Sequence, residues 1–573
     1  MCDKLRGGTE YVCTFRLHSC SFRDTGWPAL TEEPLGADMR DTGNPRVVVL
    51  DGSTNLPREL LGNKGYGINA MRKNGLPVPP AFCVTADVCA AWFAEPGPAV
   101  DEVLRDHVRD KIAYLQVLTG RTFGHGPRPL LVSVRSSAAQ SMPGMLGTVL
   151  DLGINDEVEK ALAELHGARF AADTRRRCRE IYRRIVPVDD VAVPDDPYDQ
   201  LRGAIEAVFG SWNSDRARTY RSHHGLDDLS GTAVVVQAMV FGNMDDDSGT
   251  GVLFSRNPIT GVDEPFGEWL KCGQGDDVVS GTSDVESITA LRDEQPAVYG
   301  ELTAAAKKLE KLAGDVQDIE FTVEKGRLWL LQTRTAKRSA QAAVRIALAL
   351  RHEGLIGEAE TLRRVTPEHV RTLLLPTLQP EARLAAPLLA KGLPCCPGVA
   401  TGMAYTDVDD AIDAAGYEDV ILVRPTTSPD DIQGMIAARG IVTEIGGATS
   451  HAAVVSRELG RPSVVGCGTG VAARLSGKLV TIDGTEGEVR EGILEVSAWS
   501  EVDSPELIEL AELARKHSPL RAHTAGDHPR LNSSTKDEIR AAMAEGHTDV
   551  VSSTPLPIML IALGINDSTR SDA

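Results

Sequence analysis

The sequence predicts a multidomain protein of mixed α/β and α+β class. At 573 residues the chain has room for about four units of ordinary domain size. Short buried-strand patterns such as Leu130-Leu131-Val132-Ser133-Val134-Arg135 alternate with longer helical stretches. Proline-punctuated connectors at Pro187–Pro197 and Leu373–Leu389 divide them into blocks. Hydrophobic residues make up 42% and charged residues 25%, a globular balance that excludes a disordered chain. Sixty Lys+Arg against 81 Asp+Glu leave a net charge of −21, which excludes generic binding to nucleic acid or an anionic membrane. No run of 18 apolar residues predicts a membrane span, and Met1–Gly8 has no apolar signal core. The ten cysteines lack metal-like pair spacing and read as reduced cytoplasmic thiols.

Residues 1–45 have little pattern and read as a divergent N-terminal extension. Val47–Leu50 predicts a first strand, and a helix follows Gly65 to about Asn74. The prolines of Leu76-Pro77-Val78-Pro79-Pro80 end that helix, because proline lacks the donor a helix needs. Residues 154–186 read as helical, with Arg175-Arg176-Arg177 and Arg179 on a solvated face. Residues 198–222 read as helical and Thr232–Val240 as a strand. Ile319–Val323 and Leu328–Gln332 predict a hairpin around Gly326. Ala336–Glu353 predicts a long helix. A second unit starts near Gly392, with strands at Val420–Val423, Gly440–Thr443 and Leu479–Ile482. The tail beyond about residue 505 reads as one or two helices without a large core.

Five constellations carry chemistry. Leu60-Leu61-Gly62-Asn63-Lys64-Gly65 sets a lysine between glycines before a helix, where backbone N–H groups and an ammonium can meet one phosphate. It lacks the GxxxxGK[ST] spacing of a P-loop. Arg135 ends an apolar strand, and its guanidinium fork suits phosphate oxygens or a structural carboxylate equally. Asn243–Val252 is a small, hydroxyl-bearing loop that can wrap a triphosphate or form a solvated turn. Asp318 and Glu320, two apart on a strand, share a face. With a three-residue loop around Gly326, Glu320 faces Gln332 and Asp318 faces Arg334; a two-residue loop would break that facing. Such hard oxygen donors suit Mg²⁺ beside a phosphate. Gly446-Gly447-Ala448-Thr449-Ser450-His451 leads into an apolar helix that Ser450 or Thr449 can cap. The arrangement leaves His451 exposed near a positive helix end, suited to attack on phosphorus.

In combination these residues resemble the pyruvate, phosphate dikinase family of PEP-utilising enzymes. The similarity runs from about residue 50 to 500 and also includes Ser141–Met145, Gln237–Met244 and Gln317–Gly326. The resemblance implies an ATP-grasp-type nucleotide-binding domain at 46–345, with a helical insert at about 154–196. It implies a helical linker or hinge at 346–391, a swivelling β/β/α phosphohistidine domain at 392–500, and a short helical tail at 501–573. His451 would carry the phosphoryl group. Lys64 and Arg135 would hold phosphates, Gln237 and Met239 would lie near adenine, and Thr250 and Gly251 would belong to the phosphate loop. Glu320 and Gln332 would flank Mg²⁺, supported by Asp318 and Arg334. Thr449 matches a position where some family members are regulated by phosphorylation. Asn63 and Asp245 depart from glycines expected there.

The family reaction converts ATP, inorganic phosphate and pyruvate into AMP, pyrophosphate and PEP. Its members carry pyruvate and PEP on a C-terminal (β/α)₈ barrel, which needs at least about 200 residues. Since 73 residues follow residue 500, the barrel is expected on a partner chain; a homodimer is compatible with this organisation. Two other readings stand beside this one. One is a phosphotransferase acting on another small-molecule acceptor, for which the 340–390 connector is short. The other is an ATP-binding regulatory remnant without phosphohistidine chemistry.

Overall fold

A computed structural model describes residues 46–571, apart from residues 95–96, 141, 143–144, 187–192, 224, 227–228, 230, 280–284, 375–376, 498–500, 502–503 and 532–534. The expected extension at 1–45 lies outside the described residues, as do parts of Ser141–Met145 and of the Pro187–Pro197 linker. Among the described residues, no helix is long and apolar enough to cross a membrane.

The first sheet contains β1 (Val47–Val49), β2 (Ala81–Val84), β3 (Val132–Ser137), β4 (Thr148–Leu152) and β5 (Ala233–Ala238). It is antiparallel, in the order β1-β2-β5-β3-β4. Ala233–Ala238 is buried at every position, as a central strand covered on both faces requires. Helix α1 (Arg58–Lys73) follows β1. The segment expected to be one helical stretch at 154–186 is two helices, α2 (Asp156–His166) and α3 (Ala168–Ile185). Gly167 separates them at φ 95°, a conformation that ends a helix and favours glycine. Residues 198–222 likewise divide into α4 (Pro197–Ser211) and α5 (Asp215–His223).

The second sheet contains β6 (Gly249–Phe254), β7 (Phe266–Lys271), β8 (Glu286–Ser287), β9 (Gln317–Glu324) and β10 (Arg327–Thr335), in the antiparallel order β8-β7-β6-β9-β10. Leu61, Ile68 and Met71 of α1 join one apolar core with Cys83 and Val235 of the first sheet and Leu253, Ile319, Phe321 and Leu330 of the second. The helix thus ties two sheets together and brings its N-terminal turn to their junction.

The β9–β10 loop has two residues, not three. Lys325 and Gly326 take φ of 51° and 69°, as a tight hairpin turn requires. That turn pairs Phe321 with Leu330. A register shift between Glu320 and Phe321 then inserts Leu331 and pairs Glu320 with Gln332 and Asp318 with Arg334. The expected facing holds, produced by a bulge rather than by loop length.

The long helix begins later than expected, as α6 (Ala340–His352), with Ser339 accepting from Ala342 N–H. Then come α7 (Glu358–Arg364) and α8 (Pro367–Leu373). A two-residue strand, β11 (Thr377–Leu378), precedes an eight-stranded sheet. That sheet contains β12 (Leu388–Lys391), β13 (Leu393–Cys396), β14 (Val399–Tyr405), β15 (Val420–Arg424), β16 (Gly440–Thr443), β17 (Ser463–Val465), β18 (Leu479–Asp483) and β19 (Glu488–Glu491). Its order is β12-β19-β18-β14-β15-β16-β17-β13, with a parallel centre β14-β15-β16-β17. The sheet therefore begins four residues before the expected Gly392. Between β16 and β17 runs α9 (His451–Leu459). After the sheet, β20 (Val496–Ser497) pairs antiparallel with β11, so the incoming and outgoing chains form one two-stranded ribbon.

The tail is not coreless. It contains α10 (Pro505–His517), β21 (Arg521–His523), α11 (Lys536–Ala544), β22 (Asp549–Val551) and α12 (Pro555–Ser571), with β21 and β22 parallel. Its Leu510, Leu520, Ile539 and Met559 share one apolar cluster with Val344, Leu348 and Leu362 of the linker helices. The sequence hid this core because six of its 22 buried residues come from more than 100 positions upstream.

Candidate functional site

The N-terminal turn of α1 is shaped by Gly62, at φ 66°. A Cβ there would lie 1.7 Å from the Ser137 carbonyl oxygen, so no side chain fits. Asn63 N–H donates to Ala138 O at 2.7 Å, and Gly65 N–H to Ser137 Oγ at 3.1 Å. This stitching brings Lys64 to the end of β3, where its Nζ donates to Ser136 O at 2.9 Å. Burial and the neighbouring Arg135 and Arg334 lower the Lys64 pKa to about 7, against the pull of Glu320.

Arg135 crosses from β3 to the second sheet. Its Nη2 donates to Glu320 Oε2 and to Gln332 Oε1, each at 2.9 Å. Gln332 Nε2 also donates to Glu320. Beside them Arg334 Nε donates to Asp318 Oδ2 at 2.7 Å. Burial raises the Asp318 pKa, and Arg334 opposes the rise. The bulge that aligns β9 with β10 thus gathers Lys64, Arg135 and Arg334 around Asp318, Glu320 and Gln332. Among the described residues, the buried Asp318 Oδ1 has no hydrogen-bond partner. That atom and the oxygens of Glu320 and Gln332 form a hard donor set that fits Mg²⁺.

Gln237 and Met239 lie on and just beyond β5. Gln237 pairs with Ser133, and its Nε2 donates to Pro79 O at 3.2 Å. Met239 is buried among Leu131, Ile154, Phe170 and Phe241. Thr250 and Gly251 are not in a loop but in β6. Thr250 Oγ1 donates to Phe321 O at 3.0 Å, and a Cβ on Gly251 would meet the Phe321 ring at 2.7 Å. Sheet packing explains both residues, and the loop proper ends at Ser248.

His451 is the first residue of α9, just beyond the C-terminal end of the parallel strand β16. Crevices outside such strand ends are where open parallel sheets bind ligands. Ser450 takes the N-cap position without a side-chain capping bond, and Thr449 turns elsewhere, so neither caps α9 through its hydroxyl. The imidazole is partly buried rather than exposed. Thr427 Oγ1 lies 3.1 Å from His451 Nδ1, and Nε2 is buried without a partner among the described residues. Burial lowers the His451 pKa, with Asp431 opposing. The ring is therefore favoured neutral, with Nε2 unengaged.

Helix α9 and the loop before it are docked on the second sheet. Glu268 of β7 accepts from Thr449 N–H at 3.3 Å and from the Thr449 hydroxyl. A Cβ at Gly447 would lie 2.1 Å from Glu268 Oε1. Lys337 Nζ and Tyr220 OH donate to Glu458 Oε1 at 2.7 and 3.1 Å. Arg457 acts electrostatically on Asp318, and Glu458 on Arg334. Thr427, Glu268 and Glu458 were not found from sequence. Glu268 is 181 residues from Thr449, and an isolated carboxylate in a strand pattern carries no signal of that contact.

Residues 100–303 and 286–354 match the family described as "Pyruvate phosphate dikinase, AMP/ATP-binding domain". Residues 416–487 match "PEP-utilising enzyme, mobile domain". Both matches are to domain families of the PEP-utilising enzyme class. The chain is similar to pyruvate, phosphate dikinase of Rhizobium meliloti (strain 1021), 41% identical over 505 residues, covering 76% of this chain and 56% of that protein. Pyruvate, phosphate dikinase of Clostridium symbiosum is 39% identical over 531 residues, covering 82% and 60%. Pyruvate, phosphate dikinase 2 of Zea mays is 41% identical over 487 residues, covering 77% and 55%. Within that class, the chain belongs to the pyruvate, phosphate dikinase family. It spans 55–60% of the length of these relatives.

Proposed function

We propose that the chain performs the nucleotide half of pyruvate, phosphate dikinase chemistry. In this reading residues 46–345 form an ATP-grasp-type domain, 346–391 the hinge, and 392–500 the swivelling phosphohistidine domain. The observation that carries it is the docking of α9 and its N-terminal loop against Glu268 and Lys337 while His451 Nε2 stays unengaged. Lys64, Arg135 and Arg334 would hold ATP phosphates, with Gln237 and Met239 near adenine. Glu320 and Gln332 would hold Mg²⁺, which supplies charge neutralisation across the phosphates.

The lone pair of His451 Nε2 attacks the β-phosphorus of ATP. The bond between that phosphorus and the α–β bridging oxygen breaks, and AMP leaves with its electron pair. Inorganic phosphate then takes the terminal phosphoryl group as pyrophosphate, leaving phosphohistidine. Thr427 holds the imidazole through Nδ1, so the attacking nitrogen is already oriented. The conversion of pyruvate to PEP would draw on the phosphohistidine formed in this half, and Thr449 is assigned to regulation. The seven described cysteines are free thiols, which suits a cytoplasmic location.

Incubation with Mg²⁺ and β-³²P- or γ-³²P-ATP, with and without inorganic phosphate, tests this function. Expected are AMP release and acid-labile, base-stable label on the wild type and none on His451→Ala. Inorganic phosphate should discharge the γ-label and leave the β-label. Unlabelled wild type that still binds ATP would favour the regulatory remnant.

A further inference from the structure

The C-terminal unit carries a cluster that the nucleotide and histidine chemistry does not use. β21 ends at His523, the following turn brings back His528, and β22 begins at Asp549. His523 Nε2 lies 2.9 Å from Asp549 Oδ1. The His523 and His528 rings stack with centroids 5.3 Å apart and planes 26° apart. One ligand atom from each of the three residues lies within 4.8 Å of the other two.

We propose that His523, His528 and Asp549 form a site for one divalent transition-metal ion of the Zn²⁺ class. Two imidazole nitrogens and one carboxylate oxygen suit such an ion better than Mg²⁺ or Ca²⁺, which take oxygen ligands. The 2.9 Å between Nε2 and Oδ1 is a hydrogen-bond separation, and opening it to about 3.4 Å would seat both atoms about 2.1 Å from one tetrahedral ion. The second carboxylate oxygen, Oδ2, is held by Arg521 Nη2 at 2.7 Å and Thr548 Oγ1 at 2.9 Å. These two contacts aim Oδ1 at His523, as outer-shell partners aim a ligating carboxylate. His528 is exposed and His523 and Asp549 partly so, which gives an ion access from solvent and leaves positions for water or a small ligand.

An ion-free alternative exists for two of the three residues. Protonated His523 and Asp549 form an ion pair, to which His528 adds only its stacked ring. His528 therefore separates the two cases. The full chain, stripped with EDTA and free of nucleotide, is titrated with Zn²⁺ by calorimetry and with Co²⁺ by visible absorption. The wild type should bind one equivalent with micromolar affinity or better that His528→Ala loses. Because His528 is exposed, the variant should fold, which circular dichroism checks. The loss should exceed the roughly 10- to 100-fold typical of an outer-shell partner, the smaller effect expected for Thr548→Ala. Equal stoichiometry and affinity in wild type and His528→Ala would overturn the site, as would no binding to the wild type. The cluster would then be the His523–Asp549 ion pair alone.

Discussion

Lys64 is held where its charge is unwelcome until a polyanion arrives. Burial, Arg135 and Arg334 lower its pKa to about 7 from 10.5, so the unfolded chain binds more protons than the folded one between those values. The contribution of Lys64 to stability therefore rises with pH across that window. Below about pH 7 both states are protonated, and the full cost of burying the cation applies. Phosphate oxygens beside the ammonium reverse the shift and raise the pKa. Nucleotide binding near pH 8 should therefore take up a proton. Calorimetric titration in two buffers of different ionisation heat measures that uptake. The wild type should exceed Lys64→Arg, which keeps the charge without titrating in this range. Equal uptake by both proteins would mean that another group responds to the nucleotide. The sequence showed Lys64 because its flanking glycines mark a turn. It could not show the depressed pKa, which arises first from burial and then from Arg135 and Arg334, distant in the chain.

At the scale of elements, the hairpin shows how a correct expectation can rest on the wrong cause. Period-two patterning identified β9 and β10, and Gly326 identified the turn. The two-residue turn by itself would have set Leu331 opposite Glu320. The bulge restores Gln332 to that position, and no local pattern announces an extra residue in a strand. Helix α9 shows a related limit. Its glycines, hydroxyls and histidine were legible, but its docking surface was not, since Glu268 lies on a strand far upstream. That docking gives a prediction for Thr449. Thr449→Glu would set a second carboxylate against the buried Glu268, whose pKa burial already raises. Like charges at that separation oppose docking, while the Lys64–Arg135–Glu320 cluster is untouched. Labelling of His451 by ATP should fall about tenfold or more, the equivalent of roughly 1.4 kcal/mol. Nucleotide affinity, measured by calorimetry, should stay within about twofold, well under that energy. A parallel fall in affinity would show that the variant damages the nucleotide site instead.

For the whole molecule, the contrast between connection and contact governs motion. The eight-stranded unit joins the rest through a ribbon of two two-residue strands, β11 and β20. It meets the nucleotide half through a broader surface, where Met142, Met145, Trp212 and Tyr220 pack with Met435 and Val455. A thin two-chain connector is compatible with the hinge proposed above. The connector's prolines were visible in sequence, but its pairing was not, because β11 and β20 are more than 100 residues apart. The docked arrangement also sharpens what immobilisation should do. If it is the nucleotide-facing state, locking it should preserve phosphorylation of His451 rather than abolish it. Lys337 and Glu458, joined at 2.7 Å across the surface, mark the place for a lock. Lys337→Cys and Glu458→Cys, in a Cys272→Ser background that removes the cysteine exposed among the described residues, can be bridged by a bifunctional thiol reagent. The bridged protein should still release AMP from ATP and label His451. Failure of the bridged protein to label, with the unbridged one active, would place the reactive geometry in another orientation of the domain.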